Sequence, residues 1–370
     1  MNRLIIVGNG FDLATGIESS YSSFILWYLK DCLSKANRSN ESNLFLFKNI
    51  NESSVKIVVE NSTSLKDFLL FIKANDIKYE VEEERLSFLE KIIEDNLEQK
   101  WVDIESLYFD SLLRIKESKY DEKVKKGLIV KLNQQLKVLE SKLCEYLSQQ
   151  VKEKRKIDDE YFYNVKRMFF CEDLIKLNFG DGDFIKHNTL ILNFNYTNLT
   201  EEWIKEQNNT SQINIHGELK NQENKIIFGY GNNQHPKYLE IEQLNDDDYL
   251  KNIKSMSYPL TSNYSKLMSF LNTGKINSDS GIEHSTDFEV LIYGHSCGLS
   301  DSILLREILQ HKNCKSIHIA YYENQNDYQT KTIQISRHFD RKNECTNKQQ
   351  PFNKKLKIPQ LKKDEKMIKQ

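Results

Sequence analysis

Short β-rich runs stand at the two ends of this 370-residue sequence, on either side of a long region with helical spacing. The runs cover residues 4–7, 189–192, 213–215, 226–228, 289–293 and 316–322. Several of them lead into polar or glycine turns that precede predicted helices. Strands that alternate with helices form a parallel sheet covered on both faces. We therefore predict an α/β fold with a Rossmann-like parallel sheet that draws strands from both ends of the chain.

The middle of the chain differs, because apolar residues recur there every three or four positions. One such stripe runs along a long predicted helix and comprises Leu128, Leu132, Leu136, Leu139, Leu143, Leu147 and Val151. A stripe of this kind is typical of a helix packed in a bundle. We predict a Rossmann-like nucleotide-binding domain of residues 1–40 and 186–340, interrupted by a mostly helical insertion of residues 41–185.

The charges are spread unevenly along the chain. The formal net charge of −2 argues against a protein that is basic overall and binds nucleic acid. Residues 341–370 hold ten Lys and Arg against three Asp and Glu, so we predict a flexible basic tail there. Nucleic acid could bind this tail, but that partner is not favoured.

The cysteines and the apolar runs narrow the class of protein further. Six cysteines stand singly, a spacing that argues against a disulfide framework and a zinc ribbon, and no metal is expected. No run approaches the roughly 20 apolar residues that span a bilayer, and no signal peptide is recognised. We expect a cytoplasmic protein without a membrane partner.

Two glycines follow the first apolar run, in the turn Gly8-Asn9-Gly10-Phe11-Asp12. Backbone N–H groups in such a turn can approach a phosphate, and the start of the next helix adds its dipole. The alternative is a tight strand-to-helix turn that binds nothing. The dinucleotide fingerprint G-x-G-x-x-G needs a glycine where Leu13 stands, so a Rossmann dehydrogenase is poorly supported.

Polar turns after three later strands supply the other candidate ligand contacts, since ligands bind beyond the carboxyl ends of parallel strands. These candidates are Asn193, Asn195 and Thr197, then His216, then Gly294, His295 and Ser296. Asparagine can grip ribose hydroxyls or orient a water, although helix capping is the alternative. A histidine in such a turn is a candidate base, although an isolated histidine is more often structural.

The turn Gly294-His295-Ser296-Cys297-Gly298 also matches G-x-S-x-G, the nucleophile turn of serine hydrolases. A triad would need an acid and a histidine further along the chain, and the best partners are Asp327 and His338. Both residues lie where a terminal helix is expected, so this alternative is disfavoured. Without a triad, the turn offers hydroxyl and N–H groups to a phosphate or ribose.

Five motifs in order resemble the AbiH family of bacteriophage abortive-infection proteins, and the similarity extends to about Phe339. They are IIVGNGFDLATGIESSYSSF, WVDIES, LNFNYTN, NIHGEL and IYGHSCGLSD. The resemblance implies an anti-phage effector. The resemblance also implies a phage-derived trigger as a partner, and assembly of the chain into a homo-oligomer. The motif WVDIES contains Trp101, Asp103 and Glu105. These side chains either face the cleft or have a packing or surface role.

A more distant similarity links the chain to sirtuins and to sirtuin-like NAD-cleaving defence proteins. It rests on Gly8, Gly10, Gly16 and Ile17, on Asn195, on His216-Gly217 and on the turn at Gly294. This similarity implies that NAD+ is the substrate or ligand. It also implies that His216 and Asn195 are catalytic and that the remaining turn residues contact NAD+. Thr197 stands where those proteins have an aspartate, and their zinc-ribbon module is missing, so deacylation is not expected.

The predicted function is therefore cleavage of the nicotinamide–ribose bond of NAD+. A non-catalytic protein that senses a nucleotide or acts as a scaffold in phage defence is the alternative.

Overall fold

The computed structural model describes residues 1–36, 44–81, 88–97, 103–153, 156–170, 188–205, 207–275 and 286–361. Its strands are β1 (Asn2–Val7), β2 (Phe45–Lys48), β3 (Lys78–Val81), β4 (Thr189–Asn193), β5 (Thr210–Asn214), β6 (Phe288–Tyr293) and β7 (Cys314–Ile319). Five of them form one sheet in the order β5-β4-β1-β6-β7, with every neighbouring pair parallel. Counted along the chain, this is the order 3-2-1-4-5 of a Rossmann fold. The predicted fold class is confirmed.

Helices cover this sheet, and the helices between Tyr21 and Lys152 form a separate helical cluster beside it. They are α1 (Asn9–Ala14), α2 (Tyr21–Lys35), α3 (Glu52–Asn61), α4 (Leu65–Ala74), α5 (Phe88–Leu97), α6 (Ile104–Glu117), α7 (Glu122–Lys152), α8 (Asp159–Phe170), α9 (Glu201–Ile204), α10 (Tyr238–Glu242), α11 (Asp247–Leu250), α12 (Lys254–Ser257), α13 (Asn263–Thr273), α14 (Ser302–Leu309), α15 (Gln325–Ser336) and α16 (Lys342–Lys348). Among these described helices, none is both long and apolar enough to cross a membrane.

The central strand β1 is buried along its whole length because helices cover both faces of the sheet. Leu4 and Ile6 pack on one face with residues of α13 and α14. Ile5 and Val7 pack on the other face with residues of α1 and α8. A parallel strand covered on both faces reads as a continuous apolar run, which is the pattern of this segment.

The leucine stripe lies on α7, a helix of 31 residues, as the periodicity predicts. Asp121 caps its first turn by accepting a hydrogen bond from the Val124 N–H at 2.9 Å. The stripe packs against α2, α3, α4, α5 and α6 and against Phe228 and Tyr230 of the segment after β5. The antiparallel pair β2 and β3, four residues each, was not anticipated from the sequence.

The predicted strand at residues 226–228 is wrong. Ile227 donates its N–H to the His216 carbonyl at 2.9 Å, and Phe228 turns into the helical cluster. The backbone then passes so close to Asn252 that a Cβ on Gly229 would lie 2.1 Å from its carbonyl oxygen. This course takes the segment away from the edge strand β5, so no ladder forms.

The prediction of a flexible tail from residue 341 onward is also corrected for residues 341–361. Residues 342–348 form α16, and the chain then runs beside β7 through bridges from Gln349 to Ile317 and from Lys357 to Tyr321. Cys345, Leu356 and Ile358 are buried. These apolar side chains, spaced among the lysines, hold the segment against the domain. Residues 362–370 lie outside the described residues.

Candidate functional site

A pocket of about 530 Å³ opens beyond the carboxyl ends of four sheet strands. Gly8 follows β1, Asn195 follows β4, His216 follows β5 and Ser296 follows β6, and all four residues line the pocket. Strand order reverses between β1 and β6, which is where open α/β sheets bind their ligands. The topology therefore brings together turns that are far apart in the sequence.

The helical cluster forms the opposite wall of this pocket. Ser19, Ser20, Tyr21 and Ser22 line it at the start of α2, Asp103 and Glu105 at the start of α6, and Leu143 and Leu147 on α7. Two residues of the WVDIES motif thus face the cleft, whereas Trp101 lies outside the described residues. The wall combines hydroxyl, carboxylate and aliphatic groups.

The first glycine turn is shaped by its contact with the turn after β6. A Cβ on Gly8 would lie 2.6 Å from the His295 Cα, and one on Gly10 would lie 2.8 Å from the Gly294 Cα. The N–H groups of Gly8, Gly10 and Phe11 donate to the carbonyls of Tyr293, Gly294 and Gly8. These three N–H groups are thus engaged with the protein backbone.

Asp12 and Asn195 form the polar floor of the pocket. Asn195 Nδ2 donates to Asp12 Oδ1 at 2.8 Å, and the Thr197 hydroxyl donates to Asp12 Oδ2 at 2.7 Å. Burial raises the pKa of Asp12 to about 7, although both hydrogen bonds oppose the shift. Asn193 supports the turn by donating to the Thr197 carbonyl and accepting from the Asn195 N–H. Asp12 therefore holds Asn195 and caps no helix.

His216 is 3 % exposed, and its Nε2 faces two groups. The Tyr258 hydroxyl lies 3.3 Å away and Asp301 Oδ1 lies 3.6 Å away. Burial, aided by the nearby Lys254 charge, lowers the pKa of His216 to about 3, although Asp301 and a backbone hydrogen bond with Phe194 oppose this. The imidazole is therefore neutral at physiological pH and can accept a proton.

A buried charge network stands behind this histidine. Lys254 Nζ lies 2.9 Å from Glu105 Oε2 and 2.8 Å from Asp301 Oδ1, and the Lys254 side chain is 2 % exposed. Glu105 Oε1 accepts the Gly229 N–H at 3.2 Å. Burial raises the pKa of Glu105 to about 8, whereas the Lys254 charge holds the pKa of Asp301 well below its usual range. Sequence reasoning missed Lys254 and gave Asp301 no role, although Asp301 ends the IYGHSCGLSD motif.

The turn after β6 places His295 and Ser296 differently. His295 Nδ1 accepts the Cys297 N–H at 2.9 Å, and its Nε2 lies 3.4 Å from Asp301 Oδ2. Ser296 is exposed at the pocket. The positive backbone angles of this turn fall on Gly294 and Cys297, with φ of 69° and 56°. In a nucleophile turn the strained residue is the serine itself, so this geometry differs.

The triad partners considered from the sequence face other groups. His338 Nδ1 lies 3.3 Å from the Ser302 hydroxyl, and its Nε2 lies 2.9 Å from the Cys297 carbonyl oxygen. Asp327 pairs with Lys331 and accepts the Tyr322 N–H. The structure thus gives the serine hydrolase alternative no Ser296–His338–Asp327 relay.

The predicted site residues separate into two groups. Those that line the pocket are Gly8, Asn9, Asp12, Asn195, His216, Gly294, His295 and Ser296. Gly10, Phe11, Asn193 and Thr197 lie behind them and support the turns. Within the described part of the chain, no group of three or more His, Cys, Asp or Glu side chains is placed to hold a metal ion.

Comparison with protein families gives one match that covers most of the chain. The model of the family described as bacteriophage abortive infection AbiH matches residues 4–323. This span contains every pocket residue and ends just before α15. A search of curated proteins found no match to the chain.

Proposed function

Because the chain belongs to the AbiH family of bacteriophage abortive infection proteins, we propose that it is an anti-phage effector that binds NAD+ and hydrolyses the nicotinamide–ribose bond. One observation carries the proposal. A buried, neutral His216 and the amide of Asn195 meet in a single pocket at the switch point of a Rossmann-ordered sheet. That edge of the fold is the usual position of a bound nucleotide.

Cleavage of the nicotinamide–ribose bond requires little protonation of the leaving group. As the bond between C1′ and the pyridinium nitrogen breaks, its electron pair leaves with nicotinamide, which departs as a neutral molecule. The ribose becomes oxocarbenium-like, and a water oxygen then forms the new bond at C1′. His216 Nε2, which lies 3.6 Å from Asp301 Oδ1, accepts the proton of that water. General-base help of this kind contributes about 10²–10⁴ in rate.

Asn195 is oriented to bind the ribose. Its Nδ2 donates to the Gly8 carbonyl at 3.1 Å and to Asp12 at 2.8 Å, which occupies both amide hydrogens. The Oδ1 atom is then the group that accepts a ribose hydroxyl. Asp12 adds a carboxylate near the developing positive charge of the sugar. Thr197, which replaces the aspartate of the sirtuin-like pattern, acts in this proposal by holding Asp12.

The diphosphate would lie away from these carboxylates. Among the described residues that line the pocket, Lys254 is the only Lys or Arg, and its ammonium already contacts Glu105 and Asp301. The N–H groups of Gly8 and Gly10 are already bonded within the protein. Ser296 and the start of α2 are therefore the contacts that we assign to the phosphates.

The test measures free nicotinamide released from NAD+ by the purified full-length chain, alone and with lysate of phage-infected cells. We expect His216→Ala and Asn195→Ala to lower the rate by about 100-fold or more. His311→Ala, at a partly exposed histidine outside the pocket, is the matched control and keeps the wild-type rate. Wild-type rates for both site variants would refute the site, and no release under either condition would refute NAD+ cleavage.

A non-catalytic nucleotide sensor is the second candidate, and the contact between Tyr258 and His216 favours it. In the tautomer that carries its proton on Nδ1, the His216 Nε2 lone pair accepts the Tyr258 hydroxyl, and such a base can bind a nucleotide without turning it over. Titration calorimetry that shows saturable NAD+ binding without nicotinamide release would select this function. If Tyr258 blocks turnover, Tyr258→Phe should increase release.

A further inference from the structure

Lys254 and His216 face the same carboxylate oxygen. Asp301 Oδ1 lies 2.8 Å from Lys254 Nζ and 3.6 Å from His216 Nε2. We propose that Lys254 is a positioning residue, which keeps His216 in its neutral, proton-accepting form by occupying the Asp301 carboxylate. The inference rests on the proposed function, because it assigns a role to Lys254 in the same site.

Protonation of His216 is costly at this buried position. The ring is 3 % exposed, so an imidazolium there loses its hydration and requires a negative partner. Asp301 is the carboxylate in contact with Nε2. Since the ammonium of Lys254 is already at hydrogen-bond distance from that oxygen, a second cation gains little from it and is repelled by the first.

Glu105 keeps the lysine in place from the other side. Its Oε2 lies 2.9 Å from Lys254 Nζ, and its Oε1 is held by the Gly229 N–H. Lys254 also lies 3.4 Å from the Ser300 carbonyl oxygen. The ammonium is thus surrounded by acceptors from α6 and from the turn after β6, and the helical cluster supplies one of them.

The other neighbours of His216 do not replace the effect of Lys254 on its protonation. Tyr258 is neutral, because burial raises its pKa above the ordinary value. His295 lowers the pKa of His216, whereas a backbone hydrogen bond with Phe194 raises it. Lys254 and Asp301 are therefore the charged groups with opposite effects on His216. Removing Lys254 leaves the Asp301 carboxylate to act alone.

The variant Lys254→Met, in the full-length chain, gives the direct test. The pKa of His216 is measured by NMR from ring carbons in protein labelled at its eight histidines, with the signal assigned through His216→Gln. We expect the midpoint to rise by one pH unit or more. Lys254→Met with Asp301→Asn should reverse this rise, because the attracting carboxylate is also gone. An unchanged midpoint in folded Lys254→Met would overturn the proposal.

Three further variants address folding and charge. Lys331→Met removes another largely buried lysine, paired with Asp327, and should leave the His216 titration as in wild type. Lys254→Arg keeps the positive charge and should preserve the neutral ring. If Lys254→Met does not fold, Lys254→Gln is measured with the same expectation, since its amide can donate to a carboxylate without carrying charge.

The activity readout separates this role from a purely structural one. The acid limb of the pH–rate profile for nicotinamide release should move upward by the same amount as the His216 midpoint, with kcat recovered at higher pH and KM changed little. The NMR titration needs no substrate. An inactive wild type would therefore refute the proposed function, whereas an unmoved His216 midpoint refutes the role of Lys254.

Discussion

Replacement of Asp12 by asparagine should stabilise the protein at neutral and alkaline pH. The carboxyl is 1 % exposed, and its oxygens accept from Asn195 and Thr197. An amide matches the shape and hydrogen-bonding capacity of the protonated acid, with one acceptor and one donating side, provided that the Thr197 hydroxyl rotates. Asp12→Asn therefore mimics the acid form and removes the cost of a buried negative charge.

The magnitude follows from the two pKa values. Burial raises the pKa of Asp12 from 3.8 to about 7 in the folded chain. Because the folded state binds more protons than the unfolded state between these values, the free energy of unfolding falls as pH rises through that window. The stability contributed by the acid form is complete below pH ~4 and lost above pH ~7, a loss on the order of 4 kcal/mol at about 1.4 kcal/mol per pH unit.

The assay is urea denaturation of wild type and Asp12→Asn at several pH values between about 4 and 8. The two proteins should have similar stability at the acid end, and the variant should gain steadily toward the alkaline end. Asp247→Asn, at an exposed aspartate, is the control and should show no such divergence. A difference that is constant with pH, or one that grows toward acid, would show that Asp12 is ionised in the fold across this range.

Three further changes test the backbone and the helices. Gly294→Ala would place a Cβ 2.5 Å from the Phe11 nitrogen at a φ of +69°, so we expect a loss of about 1–3 kcal/mol in chemical denaturation. Gly127→Ala, on α7 with nothing within 4 Å of the new Cβ, should instead gain about 0.5–1 kcal/mol, and a loss there would contradict the helical assignment. Asp121→Ala removes the cap that accepts the Val124 N–H and should cost about 1 kcal/mol, whereas Asp121→Asn should cost much less.

Patterns that are local in the sequence determined the fold class. Continuous apolar runs next to glycine or polar turns are enough to predict buried parallel strands and helices, because each signal lies within a few residues. The stripe from Leu128 to Val151 likewise predicts α7. The polar turns after the strands could also be named as one site, because the carboxyl ends of parallel strands meet at one edge of the sheet.

Predictions from local sequence patterns were wrong where contacts with distant parts of the chain decide the structure of a segment. The charge of residues 341–361 suggested a free tail, yet burial of Cys345, Leu356 and Ile358 fastens that segment beside β7. The run at residues 226–228 is β-rich, yet Phe228 joins the helical cluster. Burial against partners outweighs a short propensity signal in both cases.

Only the tertiary structure decided the electrostatics of the pocket. Glu105 and Lys254 are 149 residues apart and Lys254 and Asp301 are 47 apart, so no spacing in the sequence links them. Gly8 has no room for a Cβ, because such an atom would lie 2.6 Å from the Cα of His295, a residue far along the chain. The charge state of a side chain depends on its burial and on the charges within a few ångströms. Those neighbours exist only after folding, which is why His216 could be named from its turn, but its neutral state could not.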